Sequence, residues 1–266
     1  MSVQAKNKAN QLDGKTWLKN SISIWSDIKK TKEELQLKHP AMFPIALASR
    51  LIECFTDQDD PLILDPFAGV GSTLIAAKEL GKDSIGIEIS DEFVGIANDR
   101  LSQVLPLKGN ASAIIYEADS RETLKYLEPS SVDMVITSPP YWDILLQKRT
   151  ADYKEQRDYG EAEGDLGKIG DYKEFLNEIS KIFEQVYIAL KSKKYCCVVV
   201  MDIRKKSKFY PFHIDISLLM EEIGFSLDDI IIWDRRREYN NVRPLGYPSV
   251  FRINKVHEFI MIFKKP

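Results

Sequence analysis

Two short runs carry residue types and spacings suited to chemistry. The first, Leu62 to Thr73, reads LILDPFAGVGST: an apolar run ending on Asp65, a turn through Phe67, Gly69 and Gly71, and a hydroxyl pair that opens LIAAKEL. The glycines let the backbone turn sharply and approach a ligand closely. Ser72 or Thr73 can cap a helix whose free N–H groups face whatever binds. No G-K-[ST] follows, which excludes a phosphate loop, and Ala76 and Ala77 stand beyond the turn with no third glycine in register, so the dinucleotide fingerprint fails. The next apolar run ends in Gly86-Ile87-Glu88. An acid there, roughly 20 residues after the glycines, is placed to accept hydrogen bonds from both ribose hydroxyls of a nucleoside. Asp119, after a third run, is a candidate acceptor for an adenine donor and equally a cap for a helix over Arg121 to Leu127.

The second run is Thr137-Ser138-Pro139-Pro140-Tyr141, at the end of the apolar stretch Met134 to Thr137. Two prolines cannot continue a ladder or a helix interior, and they fix an extended turn whose carbonyls remain free. Such acceptors beside an aromatic suit a flat ring that bears an amine; the plain alternative is a turn that stops a strand. In open α/β sheets ligands gather at the carboxyl ends of strands, which puts Ser138 on one rim with Gly69 and Glu88.

The elements that must position these groups follow from pattern. Apolar runs at Leu62 to Asp65, Ser84 to Ile89, Ala113 to Tyr116, Met134 to Thr137, Cys196 to Met201, Ile230 to Trp233 and Glu258 to Phe263 alternate with helical stripes. The clearest stripe runs from Tyr172 to Leu190 and reads as core, with a Lys-rich end suited to a helix C-terminus. The expected fold is α/β: a doubly wound, mostly parallel seven-stranded sheet with one antiparallel strand, because the last two runs read as a hairpin. With 266 residues, 44% hydrophobic and 29% charged, a single domain over 1–266 is expected, with 1–40 as an N-terminal arm. Three cysteines in no metal or disulfide spacing point to a reducing cytoplasm and no metal. Neither a signal peptide nor a membrane span is expected.

Charge is regional. The chain is net −3, yet 234–256 holds six cations against Asp234 and Glu238. Arg235, Arg236, Arg237, Arg243 and Tyr247 there, with Tyr239, Asn240, Asn241 and Phe251, make a candidate DNA-reading loop; 143–170 is a second. Arg204 to Lys206 and Lys208 are further phosphate candidates. The plain alternative is a solvated face or a subunit contact.

DPFAGVGST followed by IGIEIS, with TSPPY later in the chain, resembles S-adenosylmethionine-dependent amino methyltransferases that act on DNA, in the motif order called γ. His39 to Pro44 resembles the family segment that packs on the methionine moiety, with Phe43 where the family often has Lys. The resemblance implies S-adenosyl-L-methionine as cofactor, held by Pro40, Asp65, Phe67, Gly69, Gly71, Ser72, Glu88 and Asp119. It implies that Ser138 and Pro139 accept hydrogen bonds from a target amine, that Pro140 shapes the turn, and that Tyr141, with Trp142 as a second candidate, stacks on the base. It also implies double-stranded DNA as partner, base flipping, and a restriction-modification setting with a cognate endonuclease. No separate recognition domain of usual size follows the last strand, which points to a homodimer. Serine at the head of the motif favours cytosine N4; adenine N6, an RNA amine and a non-catalytic DNA-binding subunit are the alternatives. Methylation at carbon 5 is disfavoured, because none of the cysteines stands in the Pro-Cys context of its nucleophile.

Overall fold

Strands of a parallel sheet covered on both faces need apolar residues at every position rather than at alternate ones. Val132 to Thr137 are buried throughout, and so are Cys196 to Val200. A computed structural model of the chain describes residues 8–37, 42–56, 61–106, 110–144, 164–238 and 244–266. Its strands are β1 (Ile24–Trp25), β2 (Leu62–Asp65), β3 (Asp83–Glu88), β4 (Ala113–Glu117), β5 (Val132–Thr137), β6 (Leu190–Val200), β7 (Ile203–Lys205), β8 (Lys208–Tyr210), β9 (Ser226–Asp234) and β10 (His257–Lys264). All but β7 and β8 form one sheet in the order β1-β9-β10-β6-β5-β2-β3-β4; β7 and β8 pair as a separate antiparallel ribbon. Only β10 runs against its neighbours, β6 and β9, so the expected terminal hairpin is present. The expected count of seven becomes eight, because Ile24 and Trp25 pair in parallel with Ile232 and Trp233. A two-residue strand leaves no periodicity to read.

The helices are α1 (Gly14–Asn20), α2 (Lys32–Gln36), α3 (Ile45–Phe55), α4 (Ser72–Glu79), α5 (Asp91–Ser102), α6 (Tyr172–Ala189) and α7 (Phe212–Ile223). On one face of the sheet α3 and α4 pack Leu47, Leu51, Ala76 and Ala77 against Ile63, Met134 and Ile260. On the other α6 and α7 pack Phe175, Phe183, Phe212 and Met220 against Leu64, Val135 and Met261. Helix α6 is capped by Asp171, which accepts from the N–H groups of Lys173 and Glu174 at 2.9 Å each, an arrangement worth about 1 kcal/mol. It ends at Ala189, and the Lys-rich stretch expected at its C-terminus instead begins β6. There Lys191 pairs with buried Asp133 of β5 at 2.8 Å, giving that carboxylate the partner its burial demands. The described part of the N-terminal arm is tied to the body: Trp25 is buried, Asn10 Nδ2 donates to the Cys54 carbonyl (2.9 Å), and Arg50 pairs with Asp27 (2.8 Å).

Chain order reverses at the centre of the sheet. From β2 the chain runs outward through β3 to β4, then returns to lay β5 beside β2, with Ile63 opposite Met134. A crevice opens at such a switch point, outside the carboxyl ends of the two strands. Asp65 and Thr137, the last residues of β2 and β5, stand there.

Candidate functional site

A cleft of about 750 Å³, mouth included, lies over this switch point. Its walls include Asp65, Phe67, Gly69, Ser72, Glu88, Asp119, Ser138 and Pro140, so residues of both halves expected from sequence meet in one cavity, though Pro139 and Tyr141 are not among its lining residues. Met42 and Phe43 close one side and Gly164 to Leu166 another. The described end of the 143–170 segment is thus part of this wall. Pro40 and Arg243 lie outside the described residues, as does most of 143–170.

Asp65 joins the halves. Its Oδ1 accepts from the Phe67 N–H (3.0 Å) and from Thr137 Oγ1 (2.7 Å), and its Oδ2 accepts from Thr73 Oγ1 (2.6 Å). One carboxylate therefore ties the end of β2, the glycine turn, the first turn of α4 and the end of β5. Burial pushes it up to about 6, opposed by the hydroxyls of Thr73 and Thr137 and the Phe67 N–H. Its sites are so largely taken by the protein that it braces the cleft rather than reaching into it.

Gly71 sits at φ +81° just before α4, and a Cβ added there would stand 3.1 Å from that of Ala97. The turn is thus closed to other residues both by conformation and by the approach of α5. Gly71 does not line the cleft; it supports Gly69 and Ser72, which do. The buried Ser72 hydroxyl has no hydrogen-bond partner among the described residues. Glu88 Oε2 accepts from the Gly69 N–H (2.8 Å) and Oε1 from the Ser90 N–H (3.0 Å), and the Ile89 N–H also draws on the carboxylate, which keeps some acceptor capacity for a ligand. Burial raises this carboxyl to about 7, against the pull of those N–H groups.

Asp119 lines the cleft, but its carboxylate also caps the 3-10 turn Ser120–Lys125. It accepts from Arg121 N (2.9 Å) and Nε, while Arg121 in turn pairs with Glu178 of α6. The cap reading therefore holds, over a short 3-10 turn rather than a helix to Leu127, while Asp119 also keeps a place on the cleft wall.

At the β5 end, Ser138 Oγ stands 3.2 Å from Tyr141 Oη, whose hydroxyl donates to Glu258 Oε2 (3.0 Å). The Tyr141 ring packs edge-on to Phe212. Burial, with Glu258 close by, holds the Tyr141 hydroxyl well above the ordinary phenol range. Trp142 departs from expectation: it is enclosed by Tyr172 and Tyr210, has Lys205 Nζ 3.7 Å over its ring, and donates from Nε1 to the Ile169 carbonyl (2.8 Å). Aromatic packing holds this ring in the core, so it is not presented for stacking on a base.

The Arg-rich stretch divides by residue. Arg235 turns inward, 18% exposed, pairing with Glu258 and Glu238 and lying over the Trp233 ring at 4.7 Å. Arg236 points out at 74% exposure with Asp234 beside it, and Arg237 is exposed. Beyond them Tyr247 and Phe251 are 80% and 92% exposed. Arg252 donates to the Lys206 carbonyl (3.4 Å), and Lys255 Nζ lies 4.7 Å from the Phe209 ring, so this loop leans on the β7–β8 ribbon. Sequence reading missed Glu258. A lone carboxylate in the apolar run HEFIMIF was its signal, because a buried charge needs a partner. Among the described residues no cluster of His, Cys, Asp and Glu could hold a metal, and no helix is long and apolar enough to cross a membrane.

Comparison with known proteins gives the family of the chain. A family model described as DNA methylase matches residues 1–99 and 132–266. The Type II methyltransferase M2.MboI of Moraxella bovis is 44% identical over 94 residues, 35% of this chain and 32% of its own length. M2.DpnII of Streptococcus pneumoniae is 39% identical over 84 residues, 31% of each. The matches thus span about a third of these relatives. Among solved structures, TTHA0409 of Thermus thermophilus, a candidate DNA modification methylase complexed with S-adenosyl-L-methionine, is 28% identical with a TM-score of 0.40, covering 56% of this chain and 54% of that one.

Proposed function

The chain belongs to the N6/N4 DNA methylase family, and from that premise we propose that it transfers a methyl group from S-adenosyl-L-methionine to the exocyclic N4 amine of cytosine in double-stranded DNA. The observation that carries the reading is the shared cavity: Glu88 and Ser72 stand on one wall and Ser138 on the other, fastened together by Asp65.

The cofactor wall fits this group. Glu88 keeps acceptor capacity for ribose hydroxyls, and the buried Ser72 hydroxyl has no partner among the described residues. The first N–H groups of α4 open beside it, and Met42 and Phe43 offer apolar surface to the methionine chain. When bound, S-adenosyl-L-methionine supplies a methyl already activated on a sulfonium. The chain's own task is orientation. An exocyclic amine delocalises its lone pair into the ring; Ser138 Oγ and the Pro139 carbonyl, accepting its N–H bonds, turn that lone pair out of the ring plane. Such positioning supplies on the order of 7–11 kcal/mol in favourable cases. Pro140 shapes the turn, and the Tyr141 ring stacks on the base. The base must leave the duplex first, at a cost of a few kcal/mol that stacking partly offsets.

Arg236, Arg237, Arg252 and the ribbon cations Arg204, Lys206 and Lys208 are the phosphate contacts, with exposed Tyr247 and Phe251 presented to the bases. The Type II methyltransferase names of the relatives support a restriction-modification setting; a cognate endonuclease is the partner such a setting calls for, and a homodimer would enlarge the DNA-contacting surface. The test is mass spectrometry of nucleosides from DNA and RNA of cells expressing the chain or its Ser138→Ala variant. New 4-methylcytosine in DNA, absent with Ser138→Ala, is expected. 6-Methyladenine would correct the base, a methylated amine in RNA alone would replace the substrate, and no product would leave a DNA-binding subunit.

A further inference from the structure

We propose that Glu258 is a positioning residue that sets the direction of the hydrogen bonds between Tyr141 and Ser138, so that Ser138 Oγ meets the cleft as an acceptor only. A carboxylate can only accept, so the bond between Tyr141 and Glu258 Oε2 uses the single phenolic proton. Tyr141 Oη therefore has nothing left to donate to Ser138, 3.2 Å away, and must accept from it. That in turn uses the single Ser138 proton, and only lone pairs of Ser138 remain for the cleft it lines. The burial of Tyr141 beside Glu258, which keeps its proton on, agrees with this direction.

Glu258 is held for the task. Arg235 Nη1 donates to its other oxygen, and Arg235 is itself fixed by Glu238, through Nε (3.1 Å) and Nη2 (2.7 Å), and by the Trp233 ring. The consequence rests on the methyl-transfer reading above. A serine proton aimed into the cleft would bond the amine lone pair that has to react, whereas a serine lone pair draws an amine N–H and leaves the nitrogen free. One residue, 117 positions from Tyr141 in sequence, thus decides whether Ser138 helps or blocks.

Substitution Glu258→Gln reverses the chain. The Arg235 guanidinium keeps the amide oxygen, which turns the amide NH2 toward Tyr141. Tyr141 must then accept from it and send its own proton to Ser138, whose proton turns into the cleft. Tyr141→Phe keeps the ring but removes the link, so Glu258→Gln has nothing to act through in that background.

The experiment measures single-turnover methyl transfer and cofactor Kd for both single variants and the double, with thermal melting as the folding control. The expectation is a loss of rate of about tenfold to a hundredfold in Glu258→Gln with cofactor Kd unchanged, and no further loss on adding Glu258→Gln to Tyr141→Phe. Rate losses that multiply in the double variant, or a wild-type rate in Glu258→Gln, overturn the proposal. A neutron structure of the deuterated wild-type protein reads the same point without activity: the Tyr141 deuteron should point at Glu258 and the Ser138 deuteron at Tyr141. A Ser138 deuteron in the cleft refutes the positioning role. The expected deuterons in a protein that methylates nothing would leave the chain of bonds standing and reject the methyl-transfer reading.

Discussion

Replacing Glu88 by Gln tests the cofactor wall through protons. The carboxyl is 6% exposed and burial lifts it from 4.5 to about 7, which corresponds to roughly 3 kcal/mol against the charged form. Because the folded value lies above the unfolded one, its contribution to stability is fully present below about 4.5 and is lost as pH rises through about 7. Ribose hydroxyls donating to this carboxylate favour the charged form and pull the value back down. Cofactor binding below pH 7 must then release up to one proton, and affinity must rise with pH by as much as tenfold per unit before it levels off above 7. Calorimetric titration with S-adenosyl-L-methionine from pH 5.5 to 8.5, in buffers of differing ionisation enthalpy, counts that proton. Glu88→Gln replaces one acceptor oxygen by an NH2 donor and leaves only a neutral acceptor at the other, so it should bind about 30- to 1000-fold more weakly and release no proton at this site. Affinity independent of pH in the wild type, or the same proton release in the variant, would refute the assignment of Glu88 to the ribose.

Two further perturbations read other parts of the site. Gly71→Ala forces a side chain to φ +81° and against Ala97, so it should cost about 1–2 kcal/mol, lower the melting temperature by several degrees, and weaken cofactor binding with it. Arg236→Ala with Arg237→Ala should flatten the dependence of log DNA affinity on log salt by about two units, while Arg235→Ala, whose charge is spent on Glu238 and Glu258, should leave that slope nearly unchanged. A slope that follows Arg235 and not its neighbours would reverse the assignment of the loop.

The switch-point crevice was legible because continuous apolar strands state their own burial. LILD and MVIT read as strands covered on both faces; Asp65 ends the first and lines the cleft, and Ser138, directly after the second, lines it too. The glycine turn, Glu88 and the Ser138 turn needed only their distance from a strand end to be placed. Trp142 was not legible in the same way. Its neighbours in sequence are those of the catalytic turn, but its neighbours in space are Tyr172, Tyr210 and Lys205, brought in by α6 and the β7–β8 ribbon. The short strand β1 escaped for another reason, since two residues carry no period.

Arg235, Arg236 and Arg237 mark the limit of reading charge by count. Composition gives them one meaning, yet adjacent residues leaving a strand point to different sides, and only the fold decides which charge meets a carboxylate. Arg235 follows directly on β9, whose partner β10 places Glu258 opposite Trp233. Its guanidinium is thereby offered a buried acid before it can be offered a phosphate. Since an unpaired buried carboxylate costs far more than a solvated arginine gains on a surface, Glu258 outcompetes DNA for Arg235. The cationic loop is therefore coupled to the Ser138–Tyr141 turn through Arg235: removing it leaves Glu258, the acceptor for the Tyr141 proton, without the guanidinium that fixes it.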